Sequence, residues 1–200
     1  KVVVYGLSTE GYAIASQMAI KGADVYIVDE SNPSAISLKA EIAKIYPNVT
    51  SLMEDEPLLA MEPIDVAISK AQYLFFTPRV RKTGQDIKTE IHSKFKDATN
   101  SLKKNSSIIY TLPTGFGGNN ENISLLEHIT GLEIGKQISY FYYPLEDQSP
   151  QPKTIGSFNG KEDPKLAELL STGKKEKKFV AISSSEHFHA INILSRFSSL

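Results

Sequence analysis

The chain has 200 residues, 40% of them apolar and 22% charged, which suits one large or two small globular domains with a sizeable core. The formal net charge is −1 with acids and bases interspersed, so we expect neither a nucleic-acid nor a membrane partner. The lack of cysteine excludes disulfides and thiolate chemistry within this stretch, and we expect no metal site. No apolar run approaches the length of a membrane span, and we expect a cytoplasmic location.

The first thirty residues predict a βαβ unit. Residues 1–5 are a β-branched run that ends at Gly6, and residues 12–21 combine helix formers with apolar spacing. Residues 24–29 read as a second buried strand. Two strands joined by a helix in this way pair in parallel through a right-handed crossover.

The rest of the chain continues to alternate strands with helices. We predict helices over 33–45, 66–70, 86–103, 119–128, 163–170 and from 184 onward, and strands over 48–52, 72–76, 106–115, 137–143, 154–158 and 179–183, with an acidic loop at 54–63. This order predicts an α/β fold, a doubly wound parallel sheet of the Rossmann-like type. We expect a dinucleotide-binding domain over 1–160, the remainder of the sheet over 161–183, and the start of a long connecting helix over 184–200.

The loop after the first strand follows the pattern Gly-x-Gly-x-x-Gly, except that Ser8 replaces the middle glycine. Gly6 permits the tight turn, and Gly11 permits close packing of the helix on the sheet. The Ser8 hydroxyl can donate to a phosphate oxygen, and the helix that starts near Thr9 directs N–H groups at an anion. We therefore predict that Gly6, Ser8, Thr9, Glu10 and Gly11 contact a dinucleotide.

Asp29 ends the second strand, 18 residues after Gly11, close to the usual offset of the carboxylate that binds an adenosine ribose. Glu30 follows it, and no lysine or arginine is adjacent in sequence to accept a 2′-phosphate. This pattern favours NAD over its phosphorylated form. The alternative is a nucleotide-free domain in which the glycines serve packing alone.

Five stretches stand in an order that resembles the UDP-glucose/GDP-mannose dehydrogenase family, specifically its N-terminal NAD-binding domain. They are KVVVYGLSTEGYAIA, EPLL, QYLFFTPRVRKTGQD, SSIIYTLPTGFGGNNENI and FYYPLED. The resemblance implies hydride transfer from the alcohol of a nucleotide sugar to NAD, and it implies a homodimer. It also implies that Thr77 and Pro78 border the cofactor and that Thr114 lies near the reacting centre.

The chain also departs from the family's pattern at catalytic positions. The glutamate of the family's S-P-E motif falls on Leu145, with Glu146 one residue later, and a glutamate near the S-T motif falls on Leu112. The lysine of the family's central helix aligns with His189. These departures leave two hypotheses open: a dehydrogenase domain with altered catalytic groups, or a nucleotide-binding or sensing protein without catalysis.

Two further groups of residues are candidates for chemistry. His187 and His189 point about 200° apart on a helix, so only one of them can serve a given site, and we select His189 as a catalytic candidate. The apolar residues Phe188, Ile191 and Leu194 recur on the same helix and predict a buried stripe. Arg79, Arg81 and Lys82 follow a strand and are candidates for contact with a substrate phosphate.

Overall fold

A computed structural model describes residues 1–55, 59–81, 84, 86–146, 150–173 and 176–197. The segment EPLL therefore lies mostly outside the described residues, and Lys82 and 198–200 lie entirely outside them. Within the described part, nine strands form one sheet in the order β4-β3-β2-β1-β5-β6-β7-β8-β9. In chain order they are β1 (Val2–Tyr5), β2 (Val25–Val28), β3 (Ser34–Leu38), β4 (Met61–Pro63), β5 (Tyr73–Phe76), β6 (Ser107–Tyr110), β7 (Ser139–Tyr142), β8 (Thr154–Ser157) and β9 (Lys178–Ala181).

Helices cover both faces of this sheet, as the alternating sequence predicts. They are α1 (Thr9–Ile20), α2 (Ala40–Ile45), α3 (Val49–Asp55), α4 (Ile64–Ser69), α5 (Asp86–Thr99), α6 (Gly118–Thr130), α7 (Pro164–Leu170) and α8 (Ile182–Phe197). No helix among the described residues combines the length and the apolar character needed to cross a membrane.

The core consists of two apolar layers, one on each face of the sheet. Val2 and Val4 of β1 pack into one layer, and Val3 and Tyr5 pack into the other, because successive side chains of a strand point to opposite faces. Phe76 of β5 anchors the second layer through the edge of the Phe95 ring, at a centroid distance of 5.0 Å. Burial on both faces explains why these strands read as continuous apolar runs rather than alternating ones.

The central strands place their following loops at one edge of the sheet. β1, β2, β5, β6 and β7 are mutually parallel, and Tyr5 pairs with both Val28 and Phe76. Tyr110 in turn pairs with Phe76. The loops that follow these strands therefore lie at the same edge of the sheet, and the predicted Rossmann-like fold is confirmed.

The sheet differs from an all-parallel one at its edges. The predicted helix over 33–45 is wrong in its first half, because Ser34–Leu38 is β3, which pairs antiparallel with β2. The reversal follows a turn in which the Asn32 N–H donates to the Asp29 carbonyl. β8 likewise runs antiparallel to β7. β3 and β8 are each the second strand from an edge, and antiparallel pairs near the edges of otherwise parallel sheets are common.

Two further elements differ from their predictions. The strand predicted over 48–52 is the helix α3, because the Asn48 side chain accepts the Ser51 N–H at 2.9 Å and so starts a helix. The helix predicted over 119–128 is α6, but Asn119 at its predicted start is not the cap. The cap residue is Gly117, with φ of +74°, and Asn119 lies inside the first turn with its side chain fully buried.

The apolar stripe of α8 is exposed rather than buried, which corrects the prediction for this helix. Phe188, Ile191 and Leu194 are 49%, 49% and 67% exposed. The helix instead packs through Ser185 against β8, where a Cβ on Gly156 would lie only 2.9 Å from the Ser185 Cβ. Glu186, next to it, is also buried. The inward side of α8 is therefore polar at Ser185 and Glu186, while Ile182 at its start packs against the second core layer.

Candidate functional site

The first candidate site is the loop between β1 and α1. Gly6 has φ of +112°, and a Cβ there would lie 2.1 Å from the Thr77 carbonyl oxygen. A Cβ on Gly11 would lie 2.5 Å from both the Gly6 carbonyl oxygen and the Thr77 hydroxyl. Thr77 is 2% exposed and its hydroxyl donates to the Tyr5 carbonyl at 3.1 Å. The loop is therefore tightly seated on the residues after β5, and packing alone already requires both glycines.

Ser8 caps α1. Its hydroxyl oxygen accepts the Gly11 N–H at 2.9 Å, so this N–H is used within the protein, while the Ser8 O–H proton stays available to donate. Thr9 is exposed and Glu10 half-buried in the first turn, where backbone N–H groups have no partner within the helix. The predicted start of this helix near Thr9 is thus confirmed. Contact of these residues with a cofactor remains a prediction.

Asp29 lies beside this loop, 5% exposed. One carboxylate oxygen accepts the Leu7 N–H at 2.8 Å, and the other accepts the Ser31 N–H at 3.0 Å and the Ser31 hydroxyl at 2.5 Å. Burial by itself raises the pKa of Asp29, but these hydrogen bonds and the charge of Arg79 together hold the pKa below its ordinary 3.8. The carboxylate is ionised and joins the glycine loop to the end of β2.

Arg79 is a neighbour of Asp29 that sequence adjacency does not reveal. Its Nη2 lies 2.7 Å from the Asp29 carboxylate, although the two residues are 50 positions apart. No lysine or arginine is adjacent to Asp29 in the sequence, but in the folded structure Arg79 contacts it. The signal was present in the topology, because Arg79 follows β5 and Asp29 follows β2, and both strands flank β1.

Glu30 and Pro78 complete this edge. Glu30 is exposed and lies 3.1 Å from the Lys94 ammonium group, and Pro78 is buried behind the glycine loop. The fold therefore brings together the residues predicted from the opening motif with Asp29, Glu30, Thr77 and Pro78. It does not place Thr114 or His189 in direct contact with them.

Thr114 belongs to a separate polar cluster at the start of α6. Its hydroxyl accepts from the Asn119 side-chain amide at 2.9 Å, and its N–H donates to the Tyr142 hydroxyl at 3.1 Å. The Asn119 carbonyl oxygen accepts the Tyr140 hydroxyl at 2.6 Å. Glu186 of α8, which the sequence analysis missed, accepts from Asn119 as well, at 2.7 Å. The Thr114 loop is thus fixed by buried hydrogen bonds.

His189 lies in a third place, at a cavity of about 480 Å³ between α8 and the segments that follow β7. Its Nε2 is 3.3 Å from a Glu146 carboxylate oxygen, and the other oxygen accepts from Arg196 at 2.6 Å. Burial lowers the pKa of His189 below 6.5, the Glu146 charge opposes that effect, and the Arg196 charge adds to it. His189 is therefore neutral at pH 7. His187 is exposed, and its ring lies 5.8 Å from that of Phe116. The two histidines therefore point apart, as predicted.

No protein-family model matches the sequence, and no curated protein sequence matches it. Solved structures do match. A GDP-mannose dehydrogenase from Pseudomonas aeruginosa superimposes with a TM-score of 0.70 and 12% identity, over 99% of this chain and 50% of that one. A UDP-D-ManNAc dehydrogenase from Pyrococcus horikoshii gives 0.66 and 17%, over 92% and 48%. This chain has the fold of nucleotide-sugar dehydrogenases.

Other enzymes share the fold too. A reductive aminase from Aspergillus terreus, in complex with NADPH and ethyl levulinate, superimposes with a TM-score of 0.59 and 13% identity, over 99% of this chain and 61% of that one. This chain spans about half the length of the nucleotide-sugar dehydrogenases that it resembles. At these identities the likeness establishes the architecture.

The structure shows what surrounds Leu112 and Leu145, two of the positions at which the sequence departs from the family's pattern. Leu112 and Leu145 are half-buried and pack against the two core layers. Glu146, one residue after Leu145, lies at the cavity and faces His189. Leu112 and Leu145, where the resemblance leads us to expect glutamates, therefore contribute to packing. The Glu146 carboxylate and the His189 imidazole meet next to Leu145.

Proposed function

We propose that this chain is the NAD(H)-binding domain of an oxidoreductase related to nucleotide-sugar dehydrogenases, with catalytic groups that differ from those of the family. One observation carries the proposal: the glycine loop, the start of α1 and the Asp29 carboxylate meet at the carboxyl edge of the parallel sheet. That edge is where ligands bind in open α/β sheets.

The residues at this edge fit a dinucleotide. The first-turn N–H groups of Thr9 and Glu10 and the Ser8 hydroxyl suit a pyrophosphate, and Asp29 suits the hydroxyls of a ribose. Bound NAD supplies a hydride acceptor for the oxidation of an alcohol. Because Gly6 and Gly11 have no Cβ, the loop backbone can lie close to Thr77 at the edge of the sheet.

His189 and Glu146 are the groups we propose for proton transfer. The neutral imidazole can accept the proton that a sugar hydroxyl loses as its carbon gives up a hydride, and Glu146 then stabilises the imidazolium. Thr114, whose hydroxyl accepts a hydrogen bond from the Asn119 amide, is a second proton-handling candidate. Without a cysteine in this chain, we propose two-electron rather than four-electron oxidation by these residues alone.

The first test is isothermal titration of NAD and NADH into the chain. Asp29→Ala should abolish or strongly weaken binding because it removes the ribose acceptor. Asp24→Ala is the matched control, since Asp24 is an exposed aspartate that directly precedes β2, whereas Asp29 directly follows this strand. Binding that neither variant changes would contradict the assignment of Asp29. No binding by the unaltered chain would overturn the proposal.

A second candidate function is nucleotide binding or sensing without catalysis. The packing of Leu112 and Leu145 at positions where the family has glutamates favours it. The discriminating measurement is NAD reduction by the full-length protein with a set of nucleotide sugars. Turnover that His189→Gln abolishes would support the dehydrogenase, and NAD binding without turnover would support the sensor.

We also propose that the protein is a cytoplasmic homodimer that associates through α8. Phe188, Ile191 and Leu194 form an exposed apolar row on this helix, and burying each would contribute roughly 1–2 kcal/mol. Sedimentation equilibrium should show a dimer that Leu194→Glu converts to a monomer. The exposed Glu54→Gln, remote in sequence on α3, should leave the dimer intact. A monomeric unaltered protein would refute dimerisation.

A further inference from the structure

We propose that Arg79 makes the adenosine end of the site accept a 2′-phosphorylated dinucleotide as well as NAD. The inference rests on the proposed function, because it concerns the same binding site. Asp29 at the end of β2 marks where the adenosine ribose binds in this type of fold, and a neighbouring arginine is the group that accommodates a 2′-phosphate. Here both residues are present and in contact.

The geometry of the pair leaves Arg79 able to serve a ligand. Its Nη2 contacts one Asp29 oxygen at 2.7 Å, while the side chain stays 40% exposed and Asp29 only 5%. A guanidinium has five N–H donors in a planar fork, so one contact with Asp29 leaves donors for a phosphate on the exposed side. The arginine covers the carboxylate from the solvent side, which is the side from which a ribose would approach.

Lys94 fixes the backbone from which Arg79 projects. Its ammonium group donates to the Arg79 carbonyl oxygen and lies 3.1 Å from Glu30 and 2.9 Å from Glu90. The Lys94 and Glu90 side chains are 9% and 10% exposed, so the contact between them is shielded from water, whereas the Glu30 side chain is exposed. Because α5 carries Lys94, this contact ties the backbone of Arg79, in the loop after β5, to a helix, while the guanidinium itself contacts Asp29.

The charges around Asp29 decide which group can attract a phosphate to the site. Asp29 and Glu30 alone would present two negative charges, and like charges at this distance disfavour a phosphate strongly. Arg79 pairs with Asp29, whereas Lys94 is shared between Glu30 and Glu90, so the cluster keeps a formal charge of −1 and the attraction for a phosphate comes from the exposed Arg79 guanidinium. A 2′-phosphate can then pair with the arginine in a charge-assisted, forked contact, and an unphosphorylated ribose can still reach Asp29 when the arginine moves aside.

The test is isothermal titration of NAD and NADP, with ADP and adenosine 2′,5′-bisphosphate as fragment probes. The unaltered chain should bind NADP within roughly tenfold of NAD. Arg79→Met should weaken NADP and the bisphosphate by roughly tenfold or more, the size expected for a lost charge-assisted contact, and should leave NAD within about threefold. Lys96→Met, which removes an exposed charge from the same helix as Lys94, should change neither affinity.

Arg79→Lys keeps the charge and loses the fork, and it replaces Arg79→Met if that variant does not fold. It should show an intermediate preference between the two dinucleotides. An NADP/NAD ratio that Arg79→Met leaves unchanged would overturn the role of Arg79 while NAD binding stands. NAD binding with no measurable NADP binding would overturn it too. Failure of every probe to bind the unaltered chain would overturn the proposed function and this inference together.

Discussion

The Glu186 carboxylate accepts hydrogen bonds from both the backbone N–H and the side-chain amide of Asn119, at 3.2 and 2.7 Å. Its second oxygen accepts the Gly117 N–H at 2.8 Å. An acidic residue of α8 thereby satisfies the N–H groups that the start of α6 cannot pair within its own helix. The same contacts couple α8 to the loop that carries Thr114, because Asn119 also donates to the Thr114 hydroxyl.

Replacing this carboxylate should destabilise the protein more than its sequence position suggests. In Glu186→Gln an amide group faces donors at Gly117 or Asn119, so at least one buried N–H loses its acceptor. We expect the free energy of unfolding to fall by about 2 kcal/mol, measured by urea denaturation. Glu54→Gln, on an exposed side chain, should change it by less than about 0.5 kcal/mol. Equal effects of the two substitutions would show that the α8 contact does not stabilise α6.

Gly6→Ala should be among the most damaging single-atom additions. The new methyl group meets the Thr77 carbonyl oxygen and also forces alanine into φ of +112°, and we expect a loss of about 3 kcal/mol or more. Gly22→Ala is the matched comparison, because Gly22 has φ of +87° with open space around it. It should cost about 1 kcal/mol from backbone strain alone. Thermal unfolding of both variants separates the effect of the contact between the new methyl group and Thr77 from that of backbone strain. Similar losses of stability in the two variants would contradict the contact with Thr77.

Protonation of His189 should destabilise the fold in acid. Burial lowers its pKa in the folded state below 6.5, so the unfolded chain binds the proton more tightly. Stability therefore falls as the pH drops below 6.5 and levels off below the folded-state pKa. His189→Gln should flatten the urea midpoint across this range, and the exposed His187→Gln should keep the slope of the unaltered protein. A slope that survives in His189→Gln would assign it to another group.

The first βαβ unit was predictable because its signals are local: the run before Gly6, the helix formers after Ser8 and the strand before Asp29. Elements whose form depends on distant partners were not. Ser34–Leu38 is a strand because β2 offers an unpaired edge, although its sequence suits a helix. Glu186 reads in the sequence as an ordinary polar residue at the start of a helix, and only the packing of α8 reveals its contact with Asn119.

Asp29 should stabilise the fold with a pH dependence of the same sign as that of His189, but in a more acidic range. Although burial alone would raise its pKa, hydrogen bonds from Ser31 and Leu7 and the Arg79 charge hold the pKa below 3.8 in the folded state, so the unfolded chain binds the proton first as the pH falls. Its contribution is complete well above pH 3.8 and disappears as the pH drops through the folded-state pKa. Asp29→Asn should lower stability at neutral pH and lose less on acidification than the unaltered protein. Asp24→Asn should have the same free energy of unfolding as the unaltered protein at every pH. Coincident curves of unfolding free energy against pH for the unaltered protein and both variants would show that the Asp29 contacts contribute no net stability.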